Sequence, residues 1–246
     1  YYGEGRDSYD IRGRTVHESI FNVESGVFRC PSTQQGYSPF STWTRGLAWA
    51  MAGFPEQLEF IDTLKVSEFE PFGGLTEVAE FMLKAAMATC DFYIENTAED
   101  GIPYWDTGAP DLHKLGEYQT KPADPYNPHE PADSSAAAIG AQGLIRLGIY
   151  LKSKEQVEDG NRYLQAGLTV LGTLLDEPYL STDESHQGLI LHSVYHRPNG
   201  WDHIPEGQSV PCGESSMWGD YHARELALYV QRMATNEPYY TFFGTN

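Results

Sequence analysis

The chain has 246 residues, of which 40% are hydrophobic and 21% charged, and this composition is typical of a globular protein with a sizeable core. A formal net charge of −19 argues against nucleic acid and anionic membrane surfaces as partners, because both are bound through basic patches. No run of about 18 apolar residues is present, so no membrane-spanning segment is predicted.

The first half of the chain predicts one strand and two helices. Alternating polar and apolar residues indicate a short strand within 14–22, followed by a tight turn at 24–26. A polar loop then leads into a helix over 41–64, which Ser41 or Thr42 is expected to cap and Pro55 to kink or restart. After a break at 71–74, a second helix is predicted over 75–96.

The second half predicts three more helices around long connections. Residues 101–131 form an irregular segment of a length that is usually functional or a lid. A helix over 136–151, capped by 133–135, carries small residues that allow close helix contact. Helices over 154–175 and 216–233 follow, with a strand or extended loop at 188–196 between them. This order predicts paired helices whose loops carry the site, in an incomplete toroid rather than a parallel α/β sheet.

Four carboxylates stand in distinctive settings: Asp106, Asp133, Glu214 and Asp220. Asp133, at a helix start, is predicted to cap that helix rather than to act as an acid. Asp220 is expected to make a buried hydrogen bond. Asp106 lies beside two aromatic rings, and an apolar setting of this kind favours a raised pKa. None of the four is compelling as a catalyst.

Histidines and cysteines are scattered rather than arranged in known metal motifs. The four late histidines are His192, His196, His203 and His222. A metal site is one explanation for them, and individual hydrogen-bonding roles are the favoured one. The cysteines are three in number and far apart, and they are expected to be structural thiols: Cys30, Cys90 and Cys212.

Arg45 and Trp49 are four residues apart in the first predicted helix, so they share a helical face. A guanidinium beside an indole is suited to holding a planar or anionic polar ligand. The alternative is that Trp49 belongs to the core and Arg45 is a solvated surface charge. An aromatic content of 13% favours sugar binding only slightly.

Five co-linear motifs carry a resemblance to a known family, at residues 35–37, 41–54, 103–106, 133–139 and 218–221. Together they resemble the unsaturated glucuronyl hydrolases, glycoside hydrolase family 88, over nearly the whole chain. The resemblance implies an all-α fold of the (α/α)6-barrel type, with short β excursions in its loops. Residues 1–246 are expected to form a single domain, the C-terminal part of such a barrel, which is incomplete in this chain.

The resemblance also implies a reaction. Family members are hydrolases that release 4,5-unsaturated uronic acid from lyase-generated oligosaccharides by hydrating the vinyl ether double bond. An aspartate protonates C4 and activates the water that adds at C5, without a metal or organic cofactor. The implied partner is an anionic unsaturated oligosaccharide, and the implied location is the cytoplasm or periplasm of a bacterium.

Five residues match substrate-binding positions of the family. The resemblance implies that His17 and Gln35 hydrogen-bond the uronate and its hydroxyl groups, and that Trp49 stacks on a sugar ring. Arg45 is expected to pair with an anionic substituent, and Tyr195 to lie near the sugar.

The chain departs from the family pattern in three respects. Gln34 and Leu47 stand where a His and a Gln are common, which is expected to shift substrate preference. The two key aspartates of the family precede the matched region, so no catalytic residue is predicted here. Apolar surface is therefore expected to be exposed unless the missing N-terminal part of the barrel, a covering partner or a second copy packs on it.

Two alternatives to the hydrolase remain open. One is a non-catalytic sugar-binding fragment or paralogue. The other is a related barrel, either an unsaturated rhamnogalacturonyl hydrolase or a sugar epimerase, although the wording of the motif at 43–49 favours the glucuronyl type.

Overall fold

A computed structural model describes residues 1–241 and 243 of the chain. Its strands and α-helices are, in chain order, β1 (Glu18–Phe21), β2 (Phe28–Ser32), α1 (Thr44–Ile61), α2 (Leu75–Asn96), α3 (Ser134–Ser153), α4 (Val157–Leu174) and α5 (Met217–Thr235). β1 and β2 form one antiparallel hairpin. The predicted mainly helical fold with short β excursions is confirmed.

Helix α3 packs against α1, α4 and α5 and is thus the central helix of the assembly. Arg45 in the first turn of α1 lies against Asp133, which precedes α3, and against Trp218 in the first turn of α5. The N-terminal ends of the three helices therefore meet, and the helices run in the same direction. α2 packs on α1, so the predicted arrangement of paired helices is found.

Glycines bring α3 into backbone contact with its neighbours. A Cβ atom on Gly143 would lie 2.3 Å from the carbonyl oxygen of Met51 in α1. A Cβ atom on Gly148 would lie 2.7 Å from the carbonyl oxygen of Gly160 in α4. The small residues of this helix thus allow the close contact that the sequence predicts, and they fix the spacing of the helices that carry the site.

The start of α1 differs from the prediction. Its N-cap is Trp43, without a side-chain capping bond, rather than Ser41 or Thr42. The reason is that a distant segment supplies the partner, because the Thr44 N–H donates to the carbonyl oxygen of Trp105 over 3.1 Å. Pro55 lies inside α1, which continues through it without a restart.

Residues 188–196 form an extended loop rather than a strand. Their ladder contact is an isolated bridge between Ile190 and Leu180, and His192 has a φ of 67°, which a strand does not accommodate. Asp220 of α5 accepts hydrogen bonds from the N–H groups of Leu189 and Ile190 at 2.8 and 3.0 Å. Its predicted hydrogen-bonding role is thus confirmed, although the residue is partly rather than fully buried, and it anchors this loop to α5.

Two further expectations concern the whole chain. Cys30, Cys90 and Cys212 are free thiols; Cys90 and Cys212 are buried, as expected of structural thiols, whereas Cys30 is exposed. Among the described residues, no helix combines the length and the apolar character that crossing a membrane requires.

Candidate functional site

Arg45 is buried at the point where the three helix ends meet, with 3% of its surface exposed. Its Nη2 donates to the carbonyl oxygen of Tyr195 at 2.8 Å and its Nη1 donates to that of Val194. Nη1 also lies 3.5 Å from Oδ2 of Asp133. Burial lowers the pKa of the guanidinium and Asp133 opposes that shift, so Arg45 stays charged at neutral pH. The alternative of a solvated surface charge is wrong.

Two indoles enclose the guanidinium of Arg45. Its central carbon lies 4.8 Å from the ring centroid of Trp43 and 4.9 Å from that of Trp218. Trp218 is itself fixed, because its Nε1 donates to Oγ of Ser135 at 3.1 Å. Arg45 thus ties the loop at 194–195 to the starts of α1, α3 and α5 through charge, hydrogen bonds and cation–π contact.

Asp133 is the capping residue of α3, as predicted. Its fully buried carboxylate accepts from the N–H groups of Ser135 at 3.1 Å and Ala136 at 3.3 Å. The same oxygen accepts from the N–H of Val194 at 3.3 Å. Burial raises the pKa of Asp133, and the charge of Arg45 opposes that rise. Because all its partners are Arg45 and groups of the loop and of α3, the carboxylate has a structural role.

His17 lies immediately before β1 and is half-buried beside Trp43, with ring centroids 4.7 Å apart. Its Nδ1 accepts from the N–H groups of Gln34 and Gln35 at 3.1 and 3.3 Å. Burial lowers the pKa of His17, which favours the neutral ring, and the two N–H groups bound at Nδ1 leave the ring proton on Nε2. His17 therefore holds the loop of Gln35 and presents an N–H donor of fixed tautomer.

Tyr195 has 46% of its surface exposed, and its ring lies 5.4 Å from Trp218 and 5.6 Å from Trp201. The carboxylate of Asp202 accepts from the N–H groups of both Tyr195 and His196, the latter at 3.0 Å. The loop is thus held by Arg45 on its carbonyl side and by Asp202 on its N–H side. We call the resulting series of contacting side chains, of which Trp43 and Arg45 are buried, the aromatic wall: His17, Trp43, Arg45, Tyr195, Trp201 and Trp218.

Trp49 lies one turn further along α1 and has 42% of its surface exposed, so the alternative that it belongs to the core is wrong. Its ring meets His222 of α5 edge to face, with centroids 5.0 Å apart. Nδ1 of His222 is in turn 3.0 Å from Oε1 of Gln142. Of the five predicted binding residues, His17, Gln35, Arg45 and Tyr195 adjoin the aromatic wall or belong to it, and Trp49 projects beside it toward α5.

The two remaining candidate carboxylates either bind backbone N–H groups or lie in solvent. Asp106 is fully buried and accepts from the N–H groups of Tyr37 at 2.9 Å and Gly108 at 2.8 Å. Burial raises the pKa of Asp106, and its contact with Tyr37 fixes the loop that carries Gln35. Glu214 is exposed.

Three of the four late histidines have individual hydrogen-bonding contacts: His192, His196 and His222. Nδ1 of His192 accepts from the N–H of Gly213 at 3.0 Å, and burial lowers the pKa of His192 to about 4. Within residues 1–241 and 243, no group of three or more His, Cys, Asp or Glu side chains is arranged to hold a metal ion.

Sequence reasoning missed four members or supports of the site. Trp43 and Trp218 lie inside motifs that were recognised, and only their contacts with Arg45 reveal their role. Trp201 and Asp202 follow a Pro–Asn–Gly turn in a segment without any periodic signal. Their function depends on contacts with Tyr195 that the turn alone does not disclose.

Curated relatives of this chain include proteins named unsaturated glucuronyl hydrolase and unsaturated chondroitin disaccharide hydrolase. No family model matches the chain. It is 30% identical over 219 residues to an unsaturated glucuronyl hydrolase of Formosa agariphila, covering 88% of this chain and 43% of that protein. It is 26% identical over 227 residues to an unsaturated glucuronyl hydrolase of a Bacillus species, covering 92% and 49% of the two chains. The chain thus spans about half the length of the curated relatives it matches.

Solved structures agree with these relatives. The crystal structure of the unsaturated glucuronyl hydrolase from Bacillus sp. GL1, described as responsible for the degradation of glycosaminoglycan, matches with a TM-score of 0.65 and 26% identity. The match covers 91% of this chain and 48% of that one. A UGL variant with the oligosaccharide dGlcA-Glc-Rha-Glc gives a TM-score of 0.66 at the same identity and coverage. Over about nine-tenths of its length, this chain therefore resembles unsaturated glucuronyl hydrolases in both sequence and α/α-barrel fold.

Proposed function

We propose that the protein is a glycoside hydrolase that releases 4,5-unsaturated uronic acid from lyase-generated oligosaccharides. The observation that carries this proposal is the convergence of His17, Gln35, Arg45 and Tyr195 at the joined N-terminal ends of α1, α3 and α5. Relatives named for this activity support it.

The sugar would bind along the aromatic wall and Trp49. The Nε2–H of His17 and the side-chain amide of Gln35 suit the carboxylate and hydroxyl oxygens of a uronate. Trp49, nearly half exposed, offers a ring face to the apolar face of the sugar. The N-terminus of α3 is already capped by Asp133, and the partial positive charges at the N-termini of α1 and α5 favour a negatively charged ligand in a chain whose net charge is −19.

Arg45 has a supporting role in this proposal. Its terminal nitrogens already bind Val194, Tyr195 and Asp133, so its first effect is to hold Tyr195 in place. Direct pairing of Arg45 with an anionic substituent stays a prediction. Such a ligand would reach the guanidinium only through the 3% of its surface that is exposed.

The reaction itself needs a proton at C4, water at C5 and opening of the resulting hemiketal. A carboxylate is the group suited to this proton transfer. Asp106, Asp133 and Asp220 are bonded to backbone N–H groups, so we assign none of them to the step. The chain matches about half the length of its relatives. We propose that the catalytic acid comes from the part of the barrel that corresponds to the other half of those relatives.

That other half would also cover a groove of about 670 Å³ that runs along α5 beside Tyr221 and Leu228. A second groove, of about 520 Å³, lies between α1 and α2 on one side and the N-terminal segment and β-hairpin of this chain on the other, so it is already partly covered. The groove along α5 suits a packing helix, and we propose that a further helix of the barrel or a partner chain occupies it.

Purified natural protein tests the function with unsaturated disaccharides from lyase digests. Hydration removes the double bond, so the ultraviolet absorbance of the substrate is expected to fall with time. Trp49→Ala should raise KM by about tenfold, since one stacked ring is lost. Phe81→Ala, which removes an exposed ring on the remote helix α2, should leave KM unchanged. Absorbance that stays constant with every unsaturated substrate would refute the hydrolase.

A non-catalytic sugar-binding protein is the second candidate. The observation in its favour is that Asp106, Asp133 and Asp220 are all engaged by backbone N–H groups. This candidate predicts binding of the same disaccharides, measured by calorimetry, without loss of their absorbance. An unsaturated rhamnogalacturonide in the same assay separates the related barrel enzymes.

A further inference from the structure

The indole of Trp49 is supported on one side by a histidine of α5. The rings of His222 and Trp49 meet edge to face, with centroids 5.0 Å apart and planes at 71°, which is a geometry that aromatic pairs prefer. The side chain of His222 is 13% exposed, whereas the indole is nearly half exposed. His222 is therefore the more buried partner, and it supports a ring that still has surface open to a ligand.

The orientation of His222 is fixed by the buried side chain of Gln142 in α3. The amide nitrogen of Gln142 lies 3.1 Å from the carbonyl oxygen of His222 and 3.0 Å from Oε2 of Glu225, and both of these atoms are acceptors. Oε1 of Gln142 must then face Nδ1 of His222, which is 3.0 Å away. Nδ1 therefore carries a proton and donates it to this hydrogen bond, so the imidazole is held in one orientation.

Helix α3 also fixes the helix that carries Trp49. Arg146 lies one turn after Gln142 on the same face of α3, and it is buried as well. Its Nη1 lies 2.6 Å from Oε2 of Glu59 in α1. Polar side chains of α3 thus bind α1 on one side and His222 of α5 on the other. The contact between His222 and Trp49 is therefore present before any ligand binds, and the indole has less rotamer freedom to lose on binding.

We propose that His222 is a positioning residue for sugar binding, which holds the indole of Trp49 in the orientation that stacks on the unsaturated uronate. The inference rests on the proposed function, in which Trp49 is the stacking ring. Without the imidazole, an exposed indole is distributed over about three rotamers, so roughly a third of the molecules would be ready to bind. Loss of His222 should therefore weaken sugar binding through Trp49 and leave the chemical step unchanged.

A double-mutant cycle on the purified natural protein tests the inference, with KM and kcat measured from the loss of absorbance of an unsaturated disaccharide. His222→Ala should raise KM about threefold and leave kcat unchanged. In the Trp49→Ala protein, whose KM is already raised, the same substitution should have no further effect. His222→Phe, which keeps a ring edge against the indole, should recover most of the wild-type KM. His113→Ala, which removes an exposed imidazole outside the site, is the matched control.

The outcomes separate the two proposals. If His222→Ala raises KM equally with and without the indole of Trp49, the positioning role is refuted while the proposed function stands. An unchanged KM for His222→Ala also refutes it. If wild-type protein binds the disaccharide without hydrating it, the hydrolase fails, and the same cycle in Kd, measured by calorimetry, decides the positioning role by the same criteria. If it binds no unsaturated uronide, both proposals fail. Thermal unfolding of each variant verifies that a weaker affinity is not a loss of fold.

Discussion

Replacing Arg45 by alanine tests whether this residue organises the site. The substitution leaves the buried carboxylate of Asp133 without its cation and the carbonyl oxygens of Val194 and Tyr195 without their donor. It also removes the cation that lies between Trp43 and Trp218. The loop that carries Tyr195 should then separate from the helix ends.

The size of the effect follows from the burial of the pair. The side chains of Arg45 and Asp133 are 4% and 0% exposed, so screening by water is small. Breaking such a buried pair by removing one partner costs about 3–5 kcal/mol of unfolding free energy. For a protein of this size, that loss lowers Tm by roughly 10 °C.

Urea unfolding followed by circular dichroism measures this loss, with Arg29→Ala as control because Arg29 is an exposed arginine on β2. The control should change the unfolding free energy by less than ~0.5 kcal/mol. The loss of unfolding free energy for Arg45→Lys should fall between those of Arg45→Ala and the control, because lysine keeps the charge and lacks the planar guanidinium. If Arg45→Ala unfolds at the same urea concentration as wild-type protein, the organising role of Arg45 is wrong.

Three further predictions concern the supports of the site. Asp106→Ala should cost about 1–3 kcal/mol, because two buried backbone N–H groups lose their acceptor; an unchanged urea midpoint would contradict this. His192 has a pKa of about 4 when folded and 6.5 when unfolded, so the unfolded chain binds the extra proton between these values and stability falls as pH is lowered. His192→Asn should remove up to about 3 kcal/mol of this loss, and parallel pH profiles for variant and wild type would refute it. Gly143→Ala should lower stability by ~1–3 kcal/mol, because its Cβ meets the backbone of Met51 at 2.3 Å; an unchanged Tm would show that α1 and α3 can separate freely.

The helices were predictable because their apolar stripes are local. Predicted and observed bounds coincide for α2 at residues 75 and 96, and the cap of α3 at Asp133 follows from its short acidic side chain. The start of α1 was not predictable in the same way. Its partner is the carbonyl oxygen of Trp105, about sixty residues away, and no local pattern reports such a contact.

In the candidate site, too, features that depend on local sequence were predictable and those that depend on long-range contacts were not. The spacing of Arg45 and Trp49 placed them on one helical face. The alternative to a ligand site was a buried Trp49 and a solvent-exposed Arg45, and the structure shows the reverse. Burial of Arg45 depends on the carbonyl groups of Val194 and Tyr195, which are some 150 positions further along the chain. Long-range contacts of this kind appear only once the chain has folded.

We expect the aromatic wall, with Trp49 beside it, to bind an unsaturated uronide. The decisive measurement is a crystal structure of the natural protein soaked with an unsaturated disaccharide. The uronate should lie within hydrogen-bond distance of His17 and Gln35, with its ring against Trp49. Density for the disaccharide in the groove along α5, with the aromatic wall free of sugar, would refute this binding site.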